Sequence, residues 1–527
     1  VSGIFVAVLC QLYMFGLRIA SEAALCLQCG LLIVEGKRPY IDFFEVSSPA
    51  LMYFNAIPAV FCKLLPIIHP IMIFHTFVFL LAVASCLLTA RILQRQRTRE
   101  QAHTPFFVIG LALLNWIAIA EFGQREHLFL LLFIPFFVSR WLTWTNQPVD
   151  KRLSLIAGTA GGIGICLDPL FLLVLFFMEL YFLVTKQRWS PFKAVEFKAA
   201  IVVLLLYLLH FAFFPREYSA LYFNYALPMV LCDYITFDDR LWWVGKTPDN
   251  RNIVYFMVIV ACIALGLRRW CSLIPPFVGL SIVGFGLFVI EGKSMTYQML
   301  PIVYGAFLSL CLIVSIVANF AVKSGWIKNG FLKPVLVAAC TSVVVVGATF
   351  QLTRNHDTIL DLSKLGYIGS CYWTEESAFS TRMEAATKPN DPILVLNDRV
   401  RPAYPLMLQL ERRPASYLLT GYPLRMSRIL WDHDKQRIPI YSGLQFQMYE
   451  RLINDIKTVK PKFVMIEKES LGDVLKEHKV MDVIDELYDE YCFAEFPDTE
   501  SQPSFDYYSF RTALACYRLK SEAPPSE

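Results

Sequence analysis

Charge is what this sequence has least of. Only 17% of its 527 residues are Asp, Glu, Lys or Arg, against about 25% in soluble globular domains. The net charge is +4, spread over short segments, so there is no basic patch to recruit nucleic acid and that partner is excluded. Paired cysteine motifs are also missing. Cys26 and Cys29 have the C-x-x-C spacing, but no second pair follows, and Cys10, Cys62, Cys86 and Cys340 sit inside apolar runs as small hydrophobes. A zinc or dithiol site is therefore not expected. No internal repeat is visible. With no basic leader and no small-residue cleavage site, residues 1–20 read as a first membrane span and not as a cleaved signal.

What the chain has instead is apolar residues, 56% of the total, gathered into runs that approach the ~20 residues needed to cross a bilayer. The runs are 1–20, 70–90, 104–120, 128–145, 153–167, 169–185, 199–214, 252–267, 273–290, 299–320 and 332–350. The expected fold is a polytopic α-helical membrane protein with about 11 transmembrane helices, interfacial helices and a C-terminal soluble α/β domain. Basic residues cluster in every second loop: Arg91, Arg95, Arg97 and Arg99; Lys151 and Arg152; Lys186, Arg188, Lys193 and Lys198; Arg268 and Arg269; Lys323, Lys328 and Lys333. Those loops should be cytoplasmic. The segments 21–69, 121–127, around 168, 215–251 and 291–298, and the tail after 351, then share the opposite face. This alternation requires that 48–66, with Pro49, Asn55, Pro58, Lys63 and Pro66, lie in the interface without crossing. Residues 1–350 form the expected membrane domain, with 21–69 and 215–251 as its large external loops, and 351–527 the soluble one. In that tail, Ile393–Leu396 before Asn397-Asp398 and 462–466 before Glu467 read as buried strands, and 448–456 and 474–487 as amphipathic helices.

Polar residues collect on the inferred external face. The first loop carries Glu22, Glu35, Lys37, Arg38, Tyr40, Asp42, Glu45 and Tyr53; residues 121–127 carry Arg125, Glu126 and His127; residues 291–298 carry Glu291, Lys293, Tyr297 and Gln298; Asp168 adds one carboxylate. Charges at a membrane boundary need water, partners or a ligand. Arg125, His127 and Lys293 are suited to a phosphate, and Glu22, Asp42, Glu45 and Glu126 to proton abstraction or sugar hydroxyls. Trp242 and Trp243 fit an interfacial belt better than a sugar platform.

The first loop resembles that of the GT-C superfamily of polyprenyl-phosphate-sugar-dependent membrane glycosyltransferases, closest to the bacterial protein-mannosyltransferase and aminoarabinose-transferase-like proteins. The shared pattern is an acidic pair, a helix, then G-x-x-x-Y-x-D-x-x-E-x-x-x-P, here Ser21-Glu22 followed by Gly36, Tyr40, Asp42, Glu45 and Pro49. A later acidic site corresponds to Arg125-Glu126-His127, and a Tyr-His-like pair before Leu-Pro to Tyr297-Gln298 before Leu300-Pro301. Two positions depart from the pattern: Ser21 stands where Asp is usual, and Arg-Glu-His replaces a plain Asp.

The resemblance implies an inverting glycosyltransferase in a bacterial inner membrane, acting on the extracytoplasmic face. The donor is a polyprenyl-phosphate-linked sugar, and the acceptor is a glycan, lipid or protein. An acceptor hydroxyl attacks the anomeric carbon while polyprenyl phosphate leaves, so a base is needed and a general acid is not. Glu22 or Asp42 is the expected base. Arg125, His127 and Lys293 are the expected phosphate contacts, and Arg38, Tyr40, Glu45, Glu126, Tyr297 and Gln298 the substrate contacts. No cofactor is required; the carboxylates allow a divalent cation, although no metal motif calls for one. Two other functions compete with this one. A transporter or flippase of lipid-linked saccharides would normally show repeats and mid-membrane charges, and a non-enzymatic scaffold would need far fewer spans.

Overall fold

The computed structural model describes residues 17, 19–94, 101, 103–117, 121–147, 149–236, 248–292, 296–323, 383–401, 403–433, 438–495 and 513–520. Most of the expected span at 1–20, all of that at 332–350, and Trp242, Trp243 and Lys293 lie outside them.

Among the described residues, five helices are long and apolar enough to cross a membrane: Pro70–Gln94, Arg125–Trp144, Val195–Phe213, Ile274–Glu291 and Tyr297–Phe320. The protein is a polytopic α-helical membrane protein; among the described residues, which hold nine of the 11 expected spans, five are full-length. Thr104–Ile117, Lys151–Cys166 and Phe171–Lys186 are helices of 14, 16 and 16 residues. At 1.5 Å per residue the last two fall short of a hydrocarbon core about 30 Å thick, while Thr104–Ile117 reaches the edge of the described residues. The apolar part of Pro248–Gly266, from Arg251, is likewise short. The apolar runs 153–167 and 169–185 are themselves short, divided at Asp168, and Asp150 caps the first helix, accepting from the amides of Arg152 (2.9 Å) and Leu153 (3.3 Å).

The chain divides into two compact units, each discontinuous in sequence. One comprises Val1–Met14, His75–His210 and Phe237–Leu360; the other comprises Phe15–Phe74, Phe211–Thr236 and Asp361–Glu527. The first holds three of the five long helices whole and most of the other two, and is packed through aromatic side chains. Phe129 stacks on Phe171 with ring centres 4.0 Å apart and on Phe133 at 4.7 Å.

The second unit joins the first loop to the C-terminal sheet. The Ser21–Val34 helix stops in a left-handed turn at Gly36 (φ 90°). There the amide of Gly36 donates to Ile33 O and that of Lys37 to Leu32 O, the paired bonds of a Schellman motif. Pro49 opens the next helix, Pro49–Leu64, whose buried face packs on the first. A side chain at Gly30 would collide with the main-chain carbonyl of Asn55. Gly30→Ala is therefore expected to separate these helices and lower the melting temperature of the detergent-solubilised protein by several degrees.

The C-terminal sheet has five strands, β1 (Pro392–Leu396), β2 (Arg413–Pro414), β3 (Phe463–Glu467), β4 (Tyr488–Glu495) and β5 (Ala513–Leu519), in the order β2-β1-β3-β5-β4. β2, β1 and β3 are parallel, and β5 and β4 antiparallel. The two central parallel strands are buried along nearly their whole length, which explains their unbroken apolar runs in the sequence. The amphipathic stretches are the helices Ile438–Val459, Lys468–Glu477 and Val480–Leu487.

Candidate functional site

The candidate residues fall into two groups, one in each unit. In the second unit, the first loop is tied to the C-terminal residues by specific bonds. Phe44 forms a bridge with Leu418, and its amide donates to Tyr417 O at 2.8 Å. The Tyr417 hydroxyl donates to Tyr40 O (3.2 Å), Arg451 Nη1 to Ile41 O (2.6 Å) and Arg401 Nε to Ser21 Oγ (2.6 Å).

Tyr40 is fully buried in a left-handed conformation (φ 65°). Its hydroxyl donates to Ser47 O at 2.6 Å and its ring packs between Tyr218 and Tyr222. Its place in the motif is thus explained by the turn it anchors. Arg38 and Asp42 close that turn. Arg38 Nε and Nη2 donate to the two Asp42 oxygens at 2.9 Å each, and the Arg38 amide adds a third bond at 2.7 Å. Hydrogen bonding from Arg38 holds the Asp42 carboxyl below its ordinary value.

Glu45 has the opposite environment. It is buried, and burial, with a smaller contribution from the negative charge of Glu22, pushes its carboxyl up to about 7. The amides of Val46 and Ser47 and the Ser47 hydroxyl, 3.5 Å away, oppose that rise without cancelling it. Glu22 is half-buried on the Ser21–Val34 helix. Tyr404, also fully buried, lies near enough to Glu45 and Cys29 for their charges to act on its hydroxyl, which has no hydrogen-bond partner among the described residues. Tyr404 and Arg401 were invisible as site residues in the sequence, because nothing local links them to a loop some 360 positions earlier.

In the first unit, three carboxylates surround Arg125. Its Nε donates to Glu126 at 2.7 Å, Nη1 to Asp168 at 2.8 Å and Nη2 to Glu291 at 3.4 Å, while Tyr297 presents its ring 5.5 Å from the guanidinium carbon. All three carboxylates are buried. The second oxygen of Glu126 has no hydrogen-bond partner among the described residues. His127 is buried beside this cluster. Its Nδ1 accepts from the Gly123 amide at 3.1 Å, so Nε2 carries the proton and donates to Asn115 Oδ1 at 3.0 Å. Both ring nitrogens are thus used by the protein. Gln298 is buried in the short turn Thr296–Met299.

Removing the central cation should be costly. Arg125→Ala is expected to destabilise the protein by about 3–5 kcal/mol, the cost of stranding buried carboxylates. Arg125→Lys should recover only part of this, since an ammonium cannot reproduce three directed guanidinium bonds. Thermal unfolding of the two variants in one detergent checks both expectations.

The fold and these residues define a polytopic α-helical membrane protein with a C-terminal mixed β-sheet domain. No known protein-family model matches the chain, and no curated protein matches it.

Proposed function

We propose that this protein is an inverting glycosyltransferase that moves a sugar from a polyprenyl-phosphate donor to a hydroxyl of a glycan, lipid or protein acceptor, on the extracytoplasmic face of a bacterial inner membrane. The observation that carries this reading is Glu45. A buried carboxyl with a value near 7, next to a second carboxylate in the first loop, has the properties of a general base at neutral pH. In the reaction the acceptor oxygen forms its bond to the anomeric carbon, the bond from that carbon to the phosphate oxygen breaks, and the hydroxyl proton passes to Glu45. Polyprenyl phosphate leaves with the electron pair.

This assigns the base role to Glu45, with Glu22 as its neighbour, in place of Asp42. Both Asp42 oxygens are bound by Arg38, and a carboxylate held in its ionised form by a guanidinium is a weak proton acceptor. Tyr40 positions the Ser47 carbonyl and so the loop around Glu45. Arg125, Glu126, Tyr297 and Gln298 remain proposed substrate contacts, as does Lys293. His127, with both ring nitrogens occupied, is better suited to holding the Gly123 turn than to meeting a phosphate.

The test uses the purified full chain in lipid nanodiscs, supplied with polyprenyl-phosphate-linked sugars and read by release of polyprenyl phosphate. The expected order of activity is wild type, then Asp42→Asn with a modest loss, then Glu22→Gln, then Glu45→Gln. Equal turnover by Glu45→Gln and wild type would overturn the assignment. Absence of turnover by wild type with every donor would overturn the function.

A further inference from the structure

The second unit carries an apolar surface that the proposed reaction does not use. Its exposed large apolar side chains are unevenly placed. Among the described residues from 383 onward, only Phe446, Val459 and Tyr491 are of this kind, whereas the short segment 57–68 alone holds seven. Phe213 and Phe214 add two more.

The helix Pro49–Leu64 explains the first stretch. It turns Leu51, Met52, Asn55, Pro58, Ala59 and Cys62 inward. Its outer face presents Ile57, Val60, Phe61 and Leu64 at helical spacing. The helix is thus apolar on both sides, and a helix of that kind does not leave one side to water. Past Leu64 the chain reads Leu65-Pro66-Ile67-Ile68, with Ile67 98% exposed, and Pro70 then opens the membrane helix Pro70–Gln94.

Tyr53 joins the second stretch to the first. It stands one turn before Ile57 on the same face. Its ring centre lies 6.2 Å from that of Phe214, and its hydroxyl 3.4 Å from that of Tyr218. Phe213, 81% exposed, is the last residue of the membrane helix Val195–Phe213. The surface therefore starts where one membrane helix ends and stops where another begins. A continuous patch of this size, unlike scattered single side chains, marks a contact face.

Hydrocarbon is the cover that fits. A protein partner would meet a polar rim, but Lys63 is the one charged residue from 57 to 68. Lys63 suits the border of a lipid layer, because its stem can lie along apolar surface while its ammonium reaches a headgroup phosphate. Lying along the layer also suits the helix length. Its 16 residues cover about 24 Å, less than a hydrocarbon core of about 30 Å.

We propose that the outer face of Pro49–Leu64, the turn 65–68 and Phe213–Phe214 form one surface that lies flat in the acyl chains of a single lipid leaflet, with Lys63 at the headgroups. Lipid contact follows from the membrane character of the chain and stands apart from the transferase reading.

The test uses the full chain in lipid nanodiscs. In the first arm the protein is unsubstituted, the lipids carry a photoreactive diazirine in the acyl chain, and adducts are mapped by peptide mass spectrometry. Peptides covering 57–68 and 213–214 should carry adducts, and the peptide with the exposed Lys457 and Lys460 should not. In the second arm a nitroxide side chain is introduced as a noncanonical amino acid at Ile57, Phe61, Leu64 or Lys457, since 14 native cysteines preclude thiol labelling. Oxygen should relax the nitroxide more than a water-soluble nickel chelate does at the first three positions, with the order reversed at Lys457. The first three should also share one depth, whereas a helix crossing the bilayer would separate Ile57 from Leu64 by about 10 Å. Stronger relaxation by nickel at these positions would give the face to water. Weak relaxation by both reagents, without lipid adducts, would give it to protein, a second copy included. A depth gradient would make the helix a crossing one. Each of these results overturns the proposal.

Discussion

Glu45→Gln should lower the rate of sugar transfer by about 10²–10⁴-fold, the range that general acid–base catalysis contributes, with little change in apparent donor affinity. The wild-type rate should rise with pH through about 7, the value of the Glu45 carboxyl, because only the ionised form accepts a proton. The same substitution should have a second, opposite signature in stability. The folded-state value lies above the ordinary 4.5, so the folded protein holds a proton that the unfolded chain has released. The stabilising contribution is complete below pH 4.5 and is lost as pH rises through about 7. A tenfold difference in proton affinity is worth about 1.4 kcal/mol, so ionised Glu45 costs the folded state about 3 kcal/mol above that pH. Gln carries no charge to bury. Glu45→Gln should therefore melt at a higher temperature than wild type at pH 8 and at a similar temperature at pH 5. A variant that is inactive and more stable at pH 8 would identify a group whose burial serves chemistry. Identical pH dependence of melting in the two proteins would show that Glu45 does not bury a titrating charge.

Arg140→Met should destabilise the first unit as much as a large apolar truncation in its core. Arg140 has no exposed surface. It binds Glu179 in a two-pronged pair, Nε to Oε1 at 2.6 Å and Nη2 to Oε2 at 2.7 Å, and its Nη1 reaches Glu196 at 3.1 Å and Pro191 O at 2.9 Å. Trp144 Nε1 also donates to Glu179 at 3.0 Å, and Thr143 Oγ1 to Glu196 at 2.5 Å. The substitution leaves two carboxylates buried without their cation, at a cost of about 3–5 kcal/mol. The expected result is a sharp fall in melting temperature or failure to accumulate in membranes. Replacing the charges together, as Arg140→Met with Glu179→Leu and Glu196→Leu, should recover most of the stability, since apolar side chains of similar volume can replace a buried ion cluster. A triple variant as unstable as the single one would show that the lost bonds to Pro191, Thr143 and Trp144 matter more than the stranded charge.

This cluster marks where reading the sequence stopped short. Arg140 and Glu179 stand inside apolar runs, and opposite charges there demand one another, yet the runs read simply as spans. The five long helices, the β1 and β3 strands and the polar character of the 125–127 and 297–298 segments were legible, because hydropathy and strand composition are properties of neighbours in the chain. The count of full spans was not: hydropathy reads 153–167 and 169–185 as spans, yet at 15 and 17 residues they give helices of 16 residues each, too short to cross upright.

The first loop shows the division most clearly. The Gly36–Pro49 spacing and the concentration of carboxylates around it could be read directly, and Gly36 owes its place to a left-handed turn that its own neighbours close. Which carboxylate has which character could not be read. Asp42 and Glu45 are three residues apart and chemically alike, but Arg38 holds one ionised at the surface while packing buries the other. Arg38 lies four residues from Asp42, so that pairing was within reach of a turn geometry. The frame around Glu45 was not, because residues 401–417 tie down the same loop from the far end of the chain. Acidity in a folded protein follows desolvation and nearby charge, and both are set by contacts that only the tertiary structure brings together.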